Sequence, residues 1–358
     1  MTPCRYQVKT MEYPVTGIHH ITACASGAQE DIDFFTKVIG QRMIKQTILF
    51  DGRYAHYHFY YANGRAEPGT VMTTFPYKRV QGRPGSGQIQ SIVYTVAKGT
   101  LPFWVDHLNR HRVVHRHIHE RFGQPFLHFA HPAGLEIEVI EDPNETREGW
   151  STDEIGQAES VRGFHGPLLS VREIDEEERF FVEALGFRKT GTDGAYHRFE
   201  IGKGGAGKTV VLLHEPDRPS GTWGFGAGTV HHIALEVADD NALAEQKGLY
   251  EELGYTDCSE IKDRNYFHSI YVRSPGGILV ECAANAPGGF ARDEAFNQLG
   301  RQLLLPPWFE HRRAEILSML EPIRVPDGHT APAEAAAITA SRRADATFIR
   351  EETEALTT

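Results

Sequence analysis

A single strand-and-helix unit recurs along this chain, and that repetition constrains the fold more than any other feature. The segment HHITACAS, opening at His19, returns as HHIALEVA at His231. Each copy joins two histidines to alternating apolar residues, the pattern of a strand. Each runs on into an amphipathic stretch that stops at a glycine, DIDFFTKVIG at Gly40 and LAEQKGLYEELG at Gly254. A glycine just past a helical pattern is a helix C-cap signal. A third copy reads GPLLSVRE from Gly166 and EERFFVEALG to Gly186, and a weaker fourth reads SIVYTV from Ser91 with FWVDHLNRH. Strand-like runs follow each helix, among them YAHYHFYYA, GLEIEVIE, KTVVLLHE and GILVECA. Each unit therefore reads strand–helix–strand–strand–strand, with a period of roughly fifty to sixty residues.

Four such βαβββ modules predict an α+β protein whose mixed sheets form clefts. Modules 1 and 2 occupy residues 14–142 as an N-terminal domain, and modules 3 and 4 occupy 162–287 as a C-terminal one. The polar, acidic stretch over 143–161 reads as a linker. In the remaining segment, 288–358, LPPWFEHRRAEILSML predicts a helix that starts after two prolines. The Ala-, Thr- and Glu-rich end reads either as a helix or as a disordered tail.

Aligning the modules on their first strands puts His20, Ser91, Gly166 and His232 at one position. Aligning their last strands puts Thr73, Glu138, Val211 and Glu281 together, the first-to-last spacings being 53, 47, 45 and 49 residues. Side chains alternate faces along a strand, so one position per strand can point into a shared cleft. Pairing module 1 with module 4 collects His20, Thr73, His232 and Glu281. Pairing module 2 with module 3 collects Ser91, Glu138, Gly166 and Val211, which cannot hold a metal, so Glu138 reads as a relic that needs a nearby Arg or Lys if it is buried. Two histidines and a carboxylate with open positions form the facial triad of non-haem iron(II) oxygenases, so His20, His232 and Glu281 are the candidate ligands. Fe(II) is the expected metal, with Mn(II) as the alternative.

The segments GIHHITACASGAQEDIDFFTKVIGQR, GTVMTTFPY, RFGQPFLHFAHP, RGFH, LLHEPDR, VHHIALEV and DRNYFHSIYVRSPGGILVE resemble the vicinal-oxygen-chelate superfamily of glyoxalases, bleomycin-resistance proteins and ring-cleaving dioxygenases. Within it they are most similar to the hydroquinone and chlorohydroquinone 1,2-dioxygenase branch. The resemblance spans about residues 15–290 and implies the vicinal oxygen chelate fold, ligands drawn from the first and last modules, and insertion of O2 into a hydroquinone-type ring. It also implies supporting roles around the metal for His19, Thr22, His231, Arg264 and Tyr271. Catechol-type relatives take their first histidine from module 3, where this chain has Gly166. Two alternatives on the same fold remain: a glyoxalase-like isomerase or lyase, which would need a second acid where Thr73 stands, and a metal-free binding or resistance protein.

The resemblance implies a small aromatic molecule and O2 as partners, and composition argues against others. A net charge of −11 argues against nucleic acid. No apolar run approaches the roughly 20 residues of a membrane helix, and MTPCRYQVKTMEYP lacks the apolar core of a signal peptide. The expected location is the cytoplasm, with four free cysteines; homo-oligomerisation stays open. GKGGAGKT at 202–209 matches a phosphate-loop pattern in letters, but the following VVLLHE reads as a strand, so a turn is expected. His56 and His58 share one strand face, either lining the cleft or at the surface. His111, His115, His117 and His119 read as a solvated segment or an adventitious metal site.

Overall fold

The computed structural model describes residues 13–325 apart from 51, 78, 79 and 225. Cys4 and the Ala-rich tail lie outside the described residues. Module 1 runs β1 (Val15–Ala25), α1 (Ala28–Asp33), β2 (Arg42–Phe50), β3 (Ala55–Ala62) and β4 (Val71–Pro76). Module 2 runs β5 (Gln88–Val96), α2 (Leu101–Arg110), β6 (His119–Arg121), β7 (Gln124–Ala130) and β8 (Glu136–Glu141). Module 3 runs β9 (Gly163–Val171), α3 (Ile174–Arg179), β10 (Arg188–Asp193), β11 (Tyr196–Glu200) and β12 (Thr209–His214). Module 4 runs β13 (Thr229–Val237), α4 (Asp240–Glu252), β14 (Lys262–Asp263), β15 (Phe267–Arg273) and β16 (Leu279–Asn285). The α+β class and the modular plan expected from the sequence are both present.

Two mixed eight-stranded sheets result, ordered β14-β15-β16-β13-β1-β4-β3-β2 and β10-β11-β12-β9-β5-β8-β7-β6. Each sheet takes one module from either side of residues 143–161. The first joins modules 1 and 4 through antiparallel β1 and β13, and the second joins modules 2 and 3 through antiparallel β5 and β9. The central pair of each sheet is related by a pseudo-twofold axis. In the first sheet His20 faces Ala234 and Thr22 faces His232 about the pair Ile21–Ile233. Arg147, from the connecting segment, ties the sheets together, donating to Gly69 O at 2.9 Å and Phe164 O at 2.8 Å.

The helices end where the glycines predict. Gly40, Gly186 and Gly254 all have positive φ, which costs glycine little and reverses the chain. At the start of α4, Asp239 accepts from the backbone N–H groups of Asn241 and Ala242, both at 3.0 Å, satisfying two of the donors a helix start leaves unpaired. α1 and α3 are short because each widens into one π turn, at Phe34–Val38 and Phe180–Ala184. Beyond β16 Pro306 caps and Pro307 opens a 3-10 turn, Pro307–Arg312, which leads into α5 (Arg313–Met319). Tyr57, on β3, donates to Glu321 O at 2.8 Å, so this segment is fastened to β3. No helix among the described residues is long and apolar enough to cross a membrane. The stretch at 202–208 is a turn between β11 and β12, as expected.

Candidate metal centre

All four first strands are irregular at the same place. Across β1 and β13 the register slips at His19 and again at His231, and across β5 and β9 it slips at Gln90 and His165. In each case the extra residue immediately precedes the aligned candidate position. A β-bulge of this kind puts two residues against one and turns neighbouring side chains toward the same side. Strict alternation would aim His19 away from His20, and His231 away from His232. The bulge corrects that expectation: His19 Nδ1 lies 2.8 Å from His20 Nδ1, and His231 Nδ1 lies 2.7 Å from His232 Nδ1.

The aligned last-strand positions also fall in one register. Thr73 pairs with Thr22, Glu138 with Val93, Val211 with Leu168 and Glu281 with Ala234, each two residues after its module's first position. The fold thereby brings His20, His232 and Glu281 together as buried residues, at 2 %, 6 % and 0 % exposure. His20 Nε2 is 3.2 Å from His232 Nε2, His232 Nε2 is 2.9 Å from Glu281 Oε2, and His20 Nε2 is 3.5 Å from the same oxygen. Ligand atoms about 2.1 Å from a common ion stand roughly 3.0 Å apart at right angles and roughly 3.4 Å apart at tetrahedral angles. The observed triangle has the size that either geometry requires.

Protonation supports the same fit. Asn285 Oδ1 lies 3.0 Å from His19 Nε2 and can only accept there, so His19 carries its proton on Nε2. Burial, then the charge of His20, pushes the His19 imidazole down to about 3, so it stays neutral and its Nδ1 is an acceptor. His20 must then donate from Nδ1, leaving its Nε2 lone pair bare toward the triangle. Burial alone would push the Glu281 carboxyl up; the imidazoles of His20 and His232 beside it reverse this and hold it well below the usual carboxylate range. Among the described residues neither Glu281 oxygen meets a well-aligned donor, close as His232 is. An ionised carboxylate buried against a bare imidazole nitrogen fits a bound cation, and without one it would be costly.

Thr73, at the register position of Glu281, is a hydroxyl held by Thr22 Oγ1 at 2.8 Å and His58 Nε2 at 3.1 Å. No second acid stands at that position. Tyr271 accepts from Arg264 Nε and from Ser269 Oγ, both at 3.2 Å, and the guanidinium sits 5.1 Å over the Tyr271 ring. Arg264 Nη2 is enclosed with no hydrogen-bond partner among the described residues. Arg264 is thus drawn inward to Tyr271 rather than paired with Asp263 or Glu260.

The second sheet holds a different set at the same positions. Gly166 replaces His232, and a Cβ there would lie 1.9 Å from Thr209 O, so no side chain fits. Glu138 is 3 % exposed and bonds Arg121 at 2.6 Å, with a longer contact at 3.4 Å. This is the partner that a buried carboxylate required. One other grouping of metal-ligating residues occurs among the described residues: His107, His111 and Glu154. There His107 Nε2 is 3.0 Å from Val38 O, and Arg110 Nη2 approaches Nδ1 at 3.4 Å, putting a positive charge where a cation would sit. His117 and His119 are exposed.

Alignment of first and last strands overlooked two features of the site. Asn285 lies on the face of Glu281, four residues on, and alternation along GILVECAAN carries that signal. Tyr60 and His58 would have followed from setting His58-Phe59-Tyr60 beside Ser269-Ile270-Tyr271.

Known proteins complete the picture. The chain is 41 % identical over 315 residues, covering 86 % of itself and 97 % of the other protein, to the chlorohydroquinone/hydroquinone 1,2-dioxygenase of Sphingobium indicum. It is 36 % identical over 310 residues, again 86 % and 97 %, to MhqO of Bacillus subtilis, assigned by name to the ring-cleaving dioxygenases. A solved Bacillus subtilis structure named as a dioxygenase superposes with a TM-score of 0.82 at 35 % identity, covering 88 % of this chain and 99 % of that one. Glyoxalase I from Zea mays shares the fold, with a TM-score of 0.53 at 13 % identity over 75 % of this chain and 92 % of that one. No family model matches the chain.

Proposed function

Because the chain belongs to the ring-cleaving dioxygenases of the vicinal-oxygen-chelate superfamily, we propose that it opens a hydroquinone-type ring with Fe(II) held by His20, His232 and Glu281. The observation that carries this reading is the buried triangle of two imidazole nitrogens and an ionised carboxylate, with edges of 2.9–3.5 Å. The substrate class is supported by the relative named for chlorohydroquinone and hydroquinone. Both atoms of O2 enter the product, and the bond that breaks joins a hydroxyl-bearing carbon to its neighbour. Thr73, standing where a fourth, acidic ligand would be needed, argues against an isomerase.

Iron would supply a Lewis-acidic, redox-active centre that makes a phenol hydroxyl acidic and lets O2 react with the ring. The surrounding side chains have separate tasks. Asn285 and His19 fix the tautomer of His20, as outer partners of metal-binding histidines commonly do. His231 orients His232 through the matching Nδ1 contact. Tyr271 already accepts from two donors, which leaves its own proton free for an oxygen of the substrate, and burial pushes its hydroxyl up so that it stays protonated. Arg264 Nη2, without a hydrogen-bond partner among the described residues, offers a donor placed to meet negative charge that develops on oxygen. We place the reaction in the cytoplasm, in keeping with Cys24, Cys258 and Cys282 as free thiols.

The test is oxygen consumption by anaerobically prepared, iron-loaded protein given hydroquinone or catechol, with 18O2 followed into product by mass spectrometry. The reading expects one O2 per ring opened, two labelled atoms in the product, and a higher kcat/KM for hydroquinone. Hydrogen peroxide without label incorporation, or a preference for catechol, would overturn it.

A further inference from the structure

The pseudo-twofold axis of the first sheet relates residues far apart in sequence. Opposite Glu281 on the neighbouring strand stands Tyr271, and opposite Thr73, at the same register position, stands Tyr60. Each tyrosine hydroxyl is held by the residue two places earlier on its own strand: Tyr271 by Ser269 Oγ at 3.2 Å and Tyr60 by His58 Nδ1 at 3.1 Å. Tyr60 is 3 % exposed, with its ring packed near Phe290 at 5.3 Å and Tyr266 at 6.3 Å. It lies within electrostatic reach of Glu281, Tyr271 and Arg264. Module 1 therefore presents a second phenol hydroxyl to the site, from the wall facing Tyr271.

We propose that Tyr60 is a substrate-contacting residue whose hydroxyl, oriented by His58, accepts a hydrogen bond from the second, para hydroxyl of the aromatic diol. This rests on the dioxygenase reading of the site. Burial first, and then the charges of His20, His232 and Arg264, holds the His58 imidazole well below its usual range, so it carries one proton. His58 Nε2 lies 3.1 Å from Thr73 Oγ1, itself 2.8 Å from Thr22 Oγ1; the proposal assigns the proton to Nε2, which makes Nδ1 an acceptor. Tyr60 then donates to Nδ1, and its oxygen keeps lone pairs for a ligand O–H. The His58 ring is stacked on Phe75 with centroids 4.1 Å apart, which fixes its direction. A hydroxyl used as an acceptor discriminates: a distal O–H satisfies it and a distal ether does not. Two hydroxyls on facing walls suit a ring with oxygens at opposite ends better than one with oxygens on adjacent carbons.

The experiment is anaerobic calorimetry of iron-loaded protein with hydroquinone and with 4-methoxyphenol. Wild type should bind hydroquinone the more tightly. Tyr60→Phe should weaken hydroquinone by roughly 10- to 100-fold, the effect of losing one buried hydrogen bond, and leave 4-methoxyphenol and iron content unchanged. His58→Leu should act in the same selective way, with partial recovery in His58→Gln, which keeps an acceptor. Equal weakening of both ligands, or no weakening, would overturn the assignment. A wild type that turns hydroquinone over while Tyr60→Phe keeps full selectivity overturns this inference alone. A wild type that fails to bind hydroquinone overturns the substrate reading beneath it as well.

Discussion

Replacing Arg121 by methionine removes the cation that stands in the second sheet where the first has its candidate metal centre. Arg121 is 4 % exposed and Glu138 3 %. The pair is joined at 2.6 Å, and the guanidinium also lies 4.7 Å over Phe126 and 5.2 Å over Tyr196. Methionine keeps much of the apolar contact but leaves the carboxylate buried without its partner. Breaking a buried pair from one side costs about 3–5 kcal/mol. For a chain of this size that corresponds to a fall in melting temperature of roughly 4–7 °C. Arg121→Met with Glu138→Gln removes both charges and should recover most of the loss, so the two substitutions should be strongly non-additive. Calorimetric melts of the four proteins at neutral pH measure this directly. A single-variant loss below about 1 kcal/mol, or a double variant no better than Arg121→Met, would refute the claim that Arg121 compensates Glu138. Iron content should be the same in all four.

Further perturbations separate the parts of the site. Asn285→Leu should weaken metal binding by roughly 10- to 100-fold without changing the circular dichroism spectrum, because His19 loses the acceptor that sets its tautomer; unchanged affinity in a metal-competition titration would count against the relay. Arg264→Ala and Tyr271→Phe should retain iron and lose turnover, read by iron analysis beside oxygen uptake, and iron loss in either would mean the residue has been misplaced. Glu177 is pushed up to about 7 by burial, with its Oε2 accepting from Gly276 N at 2.7 Å. The folded form holds this proton after the unfolded chain has released it, so stability from this group falls as pH rises from about 4.5 to 7 and then levels off. The shift corresponds to about 3 kcal/mol; Glu177→Gln should remove that dependence, and identical pH–stability curves for the two proteins would show that it does not arise there.

Much of the site was legible because the sequence repeats. Setting four weak copies in one frame placed His20 with His232 and Glu281 with Thr73, and the strand registers follow that frame in every module. The ladder slips at His19 and His231 leave a mark in the sequence, since the core residues Ile18 and Ile21, and Val230 and Ile233, stand an odd three apart, but the doubled histidine hid it in a pattern read as alternating. Their effect is large: without them the paired histidines would face opposite sides of the strand. The Asn285–His19 contact needs the sheet's cross-strand geometry as well as the face that alternation gives, whereas Tyr60 and His58 lie two apart on one strand and were within reach of a comparison with Ser269 and Tyr271. The helices α1 and α3 were visible as amphipathic stretches, while their π turns, which carry the buried Phe34–Phe35 and Phe180–Phe181, were not.

The central claim is that one iron is held by His20, His232 and Glu281. Its most direct test is iron analysis of anaerobically purified wild type beside His20→Ala, His232→Ala and Glu281→Ala, with circular dichroism and melting curves to establish that each variant is folded. The account predicts one iron per chain in the wild type, and folded variants without iron or oxygen uptake. A folded variant of any of the three that keeps both iron and full activity would contradict it.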